Sequence, residues 1–187
     1  MSHVIIRHAE PDDALHLLAY LRVIAQERDN GIMMESVDDV RWTEDEERNI
    51  IREFAEKPNF AMFVAVDVEA GERAIVGQMG LHGSNRTPTY WTIGMGISIA
   101  KDYRNQGLGY HMMQTAIDWC REQPHVVRLE LSVFDNNPRA IYLYEKVGFV
   151  HEGVQRYAAI KHGEYRHLHM MAYLFEDKLA QSLNNQH

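Results

Sequence analysis

The sequence ISIAKDYRNQGLGYHMMQTAIDW, residues 97–119, predicts a strand, a tight loop and a helix in immediate succession. A β-favouring run over 96–100 is followed by the polar segment 101–106, and apolar residues from Leu108 onward then recur at helical spacing. The strand therefore leads the chain directly into a helix N-terminus, and we expect the rest of the fold to be organised around this unit.

The loop in this unit is suited to holding an anion. Gly107 and Gly109 stand where the helix begins, so backbone N–H groups can approach a phosphate with no Cβ in the way. A helix start adds unpaired N–H donors and the positive end of the helix dipole. A Walker A loop is excluded because Tyr110 and His111 follow Gly109, where that loop needs lysine and serine or threonine. The dinucleotide fingerprint is excluded because Met112 replaces its third glycine or alanine.

Two short motifs occur in the chain in a fixed order. The first is Arg-x-x-Gly-x-Gly, formed by Arg104, Gly107 and Gly109. The second lies within Leu129–Phe149, LELSVFDNNPRAIYLYEKVGF, and reads Asn-x-x-Ala-x-x-x-Tyr followed by Gly-Phe. Its residues are Asn137, Ala140, Tyr144, Gly148 and Phe149. Together the motifs resemble the GCN5-related N-acetyltransferase (GNAT) superfamily, whose first motif is the acyl-CoA pyrophosphate loop, and the resemblance extends from about 96 to 172.

The resemblance implies an α+β fold. Its sheet would be mixed, mostly antiparallel and seven-stranded, with about four flanking helices. The central parallel strands would splay apart to admit the acyl-pantetheine arm of acetyl-CoA. The implied cofactor-binding residues are Ile97, Ser98, Ile99, Arg104, Asn105, Gln106, Gly107, Leu108, Gly109, Tyr110, Asn137, Arg139 and Tyr144.

The periodicity of the chain predicts the other elements. Strand, helix and strand without a hairpin turn imply a right-handed parallel crossover through the helix after the loop. A helix is capped by Pro11-Asp12-Asp13 and ended by Asn30-Gly31, and a second one starts with a capping box of Thr43 and Glu46. Asn137-Pro138 starts a further helix. The remaining strands are a first strand at Val4–Arg7, a hairpin of Phe60–Val68 and Ala74–His82, Thr89–Ile99 before the loop, Val126–Val133, and a last hairpin of Phe149–Ile160 and Tyr165–Phe175.

Acetyl transfer from a thioester to an amine needs a neutral amine, a stabilised oxyanion and a proton for the departing thiolate. By resemblance, backbone N–H groups near Ile97 stabilise the oxyanion. Tyr144 is the expected general acid, because a phenol with a pKa near 10 is protonated at pH 7. The alternative for Tyr144 is a buried aromatic on an amphipathic helix, the interpretation given to Tyr142. Asn137 suits both a helix N-cap and a bond to the pantetheine arm.

The sequence leaves the general base open. Related enzymes often carry glutamate at the positions of Gly94 and Ser132, so neither role transfers to this chain. The candidates that remain are Glu130, on the same strand face as Ser132, His82 at the end of the third strand, and a relay of water molecules. We assign Glu130 to catalysis together with Tyr144.

Composition narrows the functional classes. The chain has 187 residues and 45% apolar content, which suits one domain over 1–187 with a frayed tail at about 181–187. A net charge of −8 argues against nucleic acid or an anionic membrane as a partner. The sequence has no apolar run near the roughly 20 residues of a membrane helix and no secretory signal pattern. Its single cysteine cannot form an internal disulfide, and we expect a cytoplasmic protein.

The expected activity is acetylation of a primary amine on a small molecule such as an amino acid, a polyamine or a related metabolite. One alternative is a protein or peptide N-terminal or lysine acetyltransferase, which shares the motifs. The other is a non-catalytic CoA-binding module, suggested by the two missing glutamates. Homodimerisation is common in the family and compatible with this chain.

Three further groups of residues have competing interpretations. The acidic residues either attract the substrate amine or favour helix N-termini; they are Glu35, Asp38, Asp39, Glu44, Asp45, Glu46 and Glu47. His162, His167 and His169 fall close together, but no carboxylate or cysteine completes a site, so no metal is predicted. Cys120 is spaced as a core residue of its helix rather than as an acyl-accepting nucleophile.

Overall fold

The computed structural model describes residues 3–27, 31–34, 36–84, 86 and 89–184. A seven-stranded sheet runs through it in the order β1-β2-β3-β4-β5-β7-β6, and every neighbouring pair is antiparallel except β4 and β5. The mixed, mostly antiparallel sheet of the α+β prediction is confirmed. The strands are β1 Val4–His8, β2 Phe60–Asp67, β3 Ile75–Gly83, β4 Thr92–Ile99, β5 Arg128–Phe134, β6 Val150–Lys161 and β7 Glu164–Leu174.

Helices cover both faces of the sheet. Alternate residues of β2 show why: Phe63 belongs to a core shared with α3 and α4, and Val64 to a core shared with α1 and α2. No helix among the described residues combines the length and apolarity needed to cross a membrane. The helices are α1 Ala14–Gln26, α2 Glu44–Glu56, α3 Leu108–Glu122, α4 Pro138–Lys146 and α5 Glu176–Asn184.

The last helix, α5, was not predicted from the sequence. It covers 181–184 of the predicted frayed tail, while 185–187 lie outside the described residues. Phe175, which is buried, precedes the helix, and Lys178 Nζ donates to the carbonyl oxygens of Cys120 and Gln123 at 3.0 and 2.7 Å. These contacts attach α5 to the C-terminal end of α3 and explain why a polar segment is helical.

The predicted caps are present at the starts of α2 and α4. Thr43 Oγ1 accepts from the Glu46 N–H, and the Glu46 carboxylate accepts from the Thr43 N–H at 2.6 Å. Asn137 Oδ1 accepts from the Ala140 N–H at 3.2 Å, two residues after the proline that opens α4. α1 ends earlier than predicted, at Gln26, and Asn30 lies outside the described residues.

The parallel strands β4 and β5 separate part-way along their length. They pair only where Thr92–Gly94 lies beside Arg128–Glu130, although β4 continues to Ile99 and β5 to Phe134. α3 connects them as the predicted crossover. The predicted splay is therefore confirmed, and beyond Gly94 the edge of β4 that faces β5 has backbone groups without a sheet partner.

A buried ion-pair cluster fixes the start of α1 against the edge of the sheet. The carboxylate of Asp13 is fully buried and accepts from Arg7 at 2.6 and 2.8 Å and from Arg73 at 2.6 Å. Burial alone would raise the pKa of Asp13, but the hydrogen bonds from Arg7, from the Glu10 N–H and from Arg73 outweigh it and lower the pKa to about 2.

We expect Asp13 to make folding stability depend on acid pH. A carboxyl group with a lowered folded-state pKa stabilises the protein above its unfolded pKa near 4, and this contribution is lost as the pH falls towards 2. Between pH 5 and pH 2, the free energy of unfolding of the wild type should fall relative to that of Asp13→Asn by about 2 kcal/mol. Urea denaturation at several pH values measures this difference. Asp12→Asn, at an exposed neighbour, is the control, and an equal pH dependence in all three proteins would contradict the assignment.

Candidate active site

Two cavities meet in the opening between β4 and β5. The strand cavity, of about 480 Å³, lies over β3, β4 and β5, and the loop cavity, of about 410 Å³, lies between the loop before α3 and the helix α4. Both are lined by Gly31, Ile97, Ser98 and Tyr144. A molecule in one cavity could therefore reach a molecule in the other at Tyr144.

The loop cavity collects most of the predicted cofactor-binding residues. Its lining also includes residues that sequence reasoning missed, namely Gly31, Ala140, Tyr142, Leu143 and Lys146. Four of these are on α4: Ala140 belongs to the second motif but was not assigned to cofactor binding, and Tyr142, Leu143 and Lys146 occupy no defined position of either motif. The predicted residues that line the loop cavity are Ile97, Ser98, Ile99, Arg104, Asn105, Gly107, Gly109, Tyr110, Asn137, Arg139 and Tyr144.

Two of the predicted cofactor-binding residues do not line the loop cavity. Leu108, the first residue of α3, is 3% exposed and packs in the core, because a helix start with an apolar stripe buries that stripe. Gln106 Nε2 donates to the carbonyl oxygen of Asp102 at 2.5 Å. The side chains of Leu108 and Gln106 thus hold the loop and helix in place instead of lining the cavity.

The two glycines of the loop are needed for different geometric reasons. Gly107 caps α3 in the left-handed region at φ +87°, and Asn105 also has a positive φ, of +62°. A Cβ on Gly109 would lie 2.9 Å from Leu143 Cδ2, so glycine permits the close approach of α3 and α4. The N-terminal turn of α3 is thereby placed beside the loop cavity with its N–H donors unpaired in the helix.

Charge at the loop cavity is positive, although the whole chain carries −8. The charged side chains among the described lining are Arg104, Arg139 and Lys146. Arg104 is held by the structure, since its Nε donates to the Ile99 carbonyl oxygen at 2.7 Å and its Nη2 pairs with Glu27. Arg139 and Lys146 are the cations left to face an anionic ligand.

Tyr144 lies at the junction of the two cavities. Its side chain is 8% exposed and packs beside Phe149, and burial raises its pKa to about 12. The phenol is therefore protonated at neutral pH and can donate a hydrogen bond. Tyr142 is 66% exposed, so the prediction that it is the buried aromatic of this helix is wrong: positions two apart on a helix point about 200° apart.

The strand cavity is mainly apolar. Its described lining contains two titratable side chains, His82 and Tyr144, and no carboxylate. Burial lowers the pKa of His82, and the nearby negative charge of Glu130 offsets part of that effect. The apolar lining residues are Leu21, Ile32, Met33, Met34, Met95, Ile97, Leu131 and Val133, and the other polar ones are Gln78, Ser98 and Ser132.

Glu130, predicted as a catalytic residue, is not among the described residues that line either cavity. Its carboxylate accepts from Arg128 Nε at 2.8 Å, and Arg128 also pairs with Glu152 on β6. Ser132, one step along the same strand face, donates to the sulfur of Met170 at 3.3 Å and does line the strand cavity. The carboxylate of Glu130 is thus already engaged on the sheet surface.

A long-range contact fixes the segment 31–34 over both cavities. Lys161, at the end of β6, is 6% exposed, and its Nζ donates to the carbonyl oxygens of Ile32, at 3.1 Å, and Met34. A Cβ on Gly31 would lie 2.5 Å from Asn137 Nδ2, so this glycine fits closely against the start of α4. No local pattern predicts a contact between residues 129 apart in the sequence.

The acidic cluster serves helix starts and ion pairs. Asp39 accepts from the Ser36 N–H, Glu44 pairs with Arg48, Glu46 completes the capping box, and buried Glu47 accepts from Trp42 Nε1. The described members of the cluster line neither cavity, and Glu35 lies outside the described residues. These contacts favour the capping interpretation over an acidic lip for the substrate.

Among the described histidines only His82 lines either cavity, and Cys120 lines neither. His169 Nδ1 lies 2.6 Å from His151 Nε2, whereas His167 Nδ1 accepts from the Tyr157 N–H. Within the described ranges, no group of three or more potential metal ligands is present. Cys120 is fully buried in the core, and burial raises the pKa of its thiol to about 12, which disfavours a nucleophilic thiolate.

Comparison with known proteins agrees with this geometry. The model of the Acetyltransferase (GNAT) family matches residues 18–149. The L-amino acid N-acetyltransferase AaaT of Escherichia coli (strain K12) is 28% identical over 92% of this chain and 98% of its own length. A GNAT-family acetyltransferase of Streptococcus pneumoniae superposes with a TM-score of 0.83 at 30% identity, over 91% of this chain and 98% of its own. The phosphinothricin acetyltransferase of Sinorhizobium meliloti, solved in complex with acetyl-CoA, shares the fold with a TM-score of 0.76 at 17% identity, over 92% and 88% of the two chains.

Proposed function

Because the chain belongs to the acetyltransferase (GNAT) family, we propose that it transfers the acetyl group of acetyl-CoA to a primary amine of a small molecule. The transfer would be a direct attack within a ternary complex. One observation carries the proposal: the cationic loop cavity and the apolar strand cavity meet at Tyr144, in the opening between the splayed strands.

The loop cavity suits the phosphates and the pantetheine arm of acetyl-CoA. The N–H groups at the start of α3 would bind the pyrophosphate, helped by Arg139 and Lys146. The arm would run between β4 and β5, where unpaired backbone groups of β4 can bond its amides. A relative of the same fold was solved with acetyl-CoA, which supports this choice of cosubstrate.

The chemistry follows from groups at the junction of the cavities. The amine nitrogen forms a bond to the thioester carbonyl carbon, and backbone N–H groups of β4 near Ile97 stabilise the oxyanion. The carbon–sulfur bond then breaks, and the thiolate leaves beside the Tyr144 hydroxyl. A phenol with a pKa of about 12 is a weak acid for a thiolate whose own acid has a pKa of about 8.5, so a strong hydrogen bond from Tyr144 precedes completed proton transfer.

The lining of the strand cavity disfavours a polyamine as acceptor and suits an apolar amino acid whose carboxylate remains outside the cavity, because the described lining has no arginine or lysine. A polyamine carries several positive charges, and the described lining offers no carboxylate to pair with them. Three methionines and several aliphatic residues instead suit an apolar side chain. The curated relative that matches nearly full length is named an L-amino acid N-acetyltransferase, which supports the same choice.

We expect acetyl-CoA and CoA to raise the melting temperature of the protein and ATP to leave it unchanged, since a ligand of the folded state stabilises by mass action. Thiol release in the presence of single amines then measures the reaction. Apolar L-amino acids should react faster than spermine or a short peptide with a free N-terminus. Binding without release for any amine would favour the CoA-binding module, and preferred turnover of the peptide would favour the protein-directed alternative.

A further inference from the structure

The reaction also needs a general base, a group that removes the proton from the attacking amine, and Tyr144 does not supply it. Among the described residues lining the strand cavity, His82 and Tyr144 are the two that can exchange a proton near neutral pH or above it. The pKa of Tyr144 is raised, so its phenol is a donor and not an acceptor. Of the described lining residues, His82 is therefore the side chain that can accept a proton.

Gly94, on the neighbouring strand, leaves free the space that the His82 ring occupies. His82 pairs with Gly94 across β3 and β4, and a Cβ on Gly94 would lie 2.7 Å from His82 Nε2 and 3.2 Å from Cδ2 and Cε1. The imidazole therefore occupies the space above the glycine. Gly94 is also where pairing between β4 and β5 ends, so the ring lies at the point where the opening begins.

From this placement we propose that His82 is the general base of the reaction, taking a proton from the acceptor amine as its nitrogen bonds to the acetyl carbon. The assignment rests on the proposed function and deepens it. The proton passes from nitrogen to the imidazole, the carbon–sulfur bond breaks, and the thiolate takes a proton from the Tyr144 hydroxyl, which solvent then reprotonates. Catalysis is thus divided between two residues that line one cavity.

The surroundings of His82 favour a neutral ring at pH 7. Partial burial of the imidazole lowers the pKa of His82 below its usual 6.5, although the residue keeps an exposed surface, and the facing charge of Glu130 on β5 raises it in part. A group that must be neutral to act loses function as the pH falls through its pKa. The value of kcat should therefore decrease in acid, with a midpoint below 6.5.

The decisive variant is His82→Gln. We expect kcat at pH 7 to fall by about 10²–10⁴-fold, the range of general base catalysis, with the dissociation constant for acetyl-CoA unchanged. In the His82→Gln variant, kcat should no longer decrease at acid pH, because the imidazole that titrates is absent. His16→Gln, at an exposed position on α1, is the matched control and should keep the wild-type profile.

Two further variants separate a chemical role from a structural one. His82→Ala combined with Gly94→Glu places a carboxylate in the volume that the ring vacates, and should recover at least tenfold in kcat over His82→Ala alone. Glu130→Gln removes the negative charge facing the ring, so the acid midpoint of kcat should move to lower pH. Because the Glu130→Gln variant retains His82, this shift can be measured even if the His82 variants fold poorly.

Outcomes that would overturn the inference are distinct from failure of the proposed function. A wild-type protein that binds acetyl-CoA but acetylates no amine would refute the enzyme itself. An active wild type with an equally active His82→Gln variant would refute only the base. Loss of the acid decrease in Glu130→Gln, with His82→Gln still pH-dependent, would assign the role to Glu130.

Discussion

Tyr144→Phe should lower kcat by about 10²–10⁴-fold, the usual range for loss of a general acid, with little change in affinity for acetyl-CoA. The reason is position: Tyr144 lines both the strand cavity and the loop cavity, and in the proposed mechanism the thiolate of the leaving CoA would form where they meet. Phenylalanine keeps the ring and its packing beside Phe149, so the melting temperature should change little. Steady-state thiol release and a binding titration measure the two effects.

Tyr165→Phe provides the matched control, because it removes the same atom at a 68% exposed position on β7 that is not among the described residues lining either cavity. Its kcat should equal that of the wild type. The raised pKa of Tyr144 adds a second readout: the phenol stays protonated to about pH 12, so alkaline loss of activity up to pH 10 should not arise from this residue. Unchanged kcat in Tyr144→Phe would show that another donor, such as water, protonates the thiolate.

The parts of the fold that could be predicted depend on local patterns. The glycine loop before α3 and the capping box of α2 are each decided by residues within a few positions of one another, and the structure has both where predicted. The separation of β4 and β5 was different, since it followed from family resemblance and from no periodicity in the sequence. Structure and resemblance agree on it.

The parts of the site that could not be predicted depend on distant contacts. Arg104 matches the motif, yet its guanidinium pairs with Glu27, which is 77 residues away in the sequence. It is therefore not free to bind an anion in the loop cavity. Lys161 holds the segment 31–34 from a hairpin at the other end of the chain. Sequence spacing carries no information on such pairs, and the same reason left the base undecided between Glu130, His82 and a relay of water molecules.

Gly107→Val should raise the dissociation constant for acetyl-CoA by at least 10- to 100-fold. A hydrogen bond to a charged group contributes about 1.5–3 kcal/mol, and each 1.4 kcal/mol is tenfold in affinity, so even one lost bond from an N–H to the pyrophosphate gives this effect. Valine would act in two ways. Its side chain would stand in front of the N–H groups at the start of α3, and its branched Cβ is incompatible with φ +87°.

The strain must be separated from the loss of binding, and Gly163→Val does so. Gly163 has φ +76° in the turn between β6 and β7, with no atom within 4 Å of an added Cβ, so valine there strains the backbone without entering either cavity. Both variants should therefore melt at lower temperature, whereas only Gly107→Val should lose affinity in a calorimetric titration with acetyl-CoA. Equal affinity in the two variants would mean that the phosphates bind elsewhere, and the glycines of this loop would then serve the packing of α3 against α4 alone.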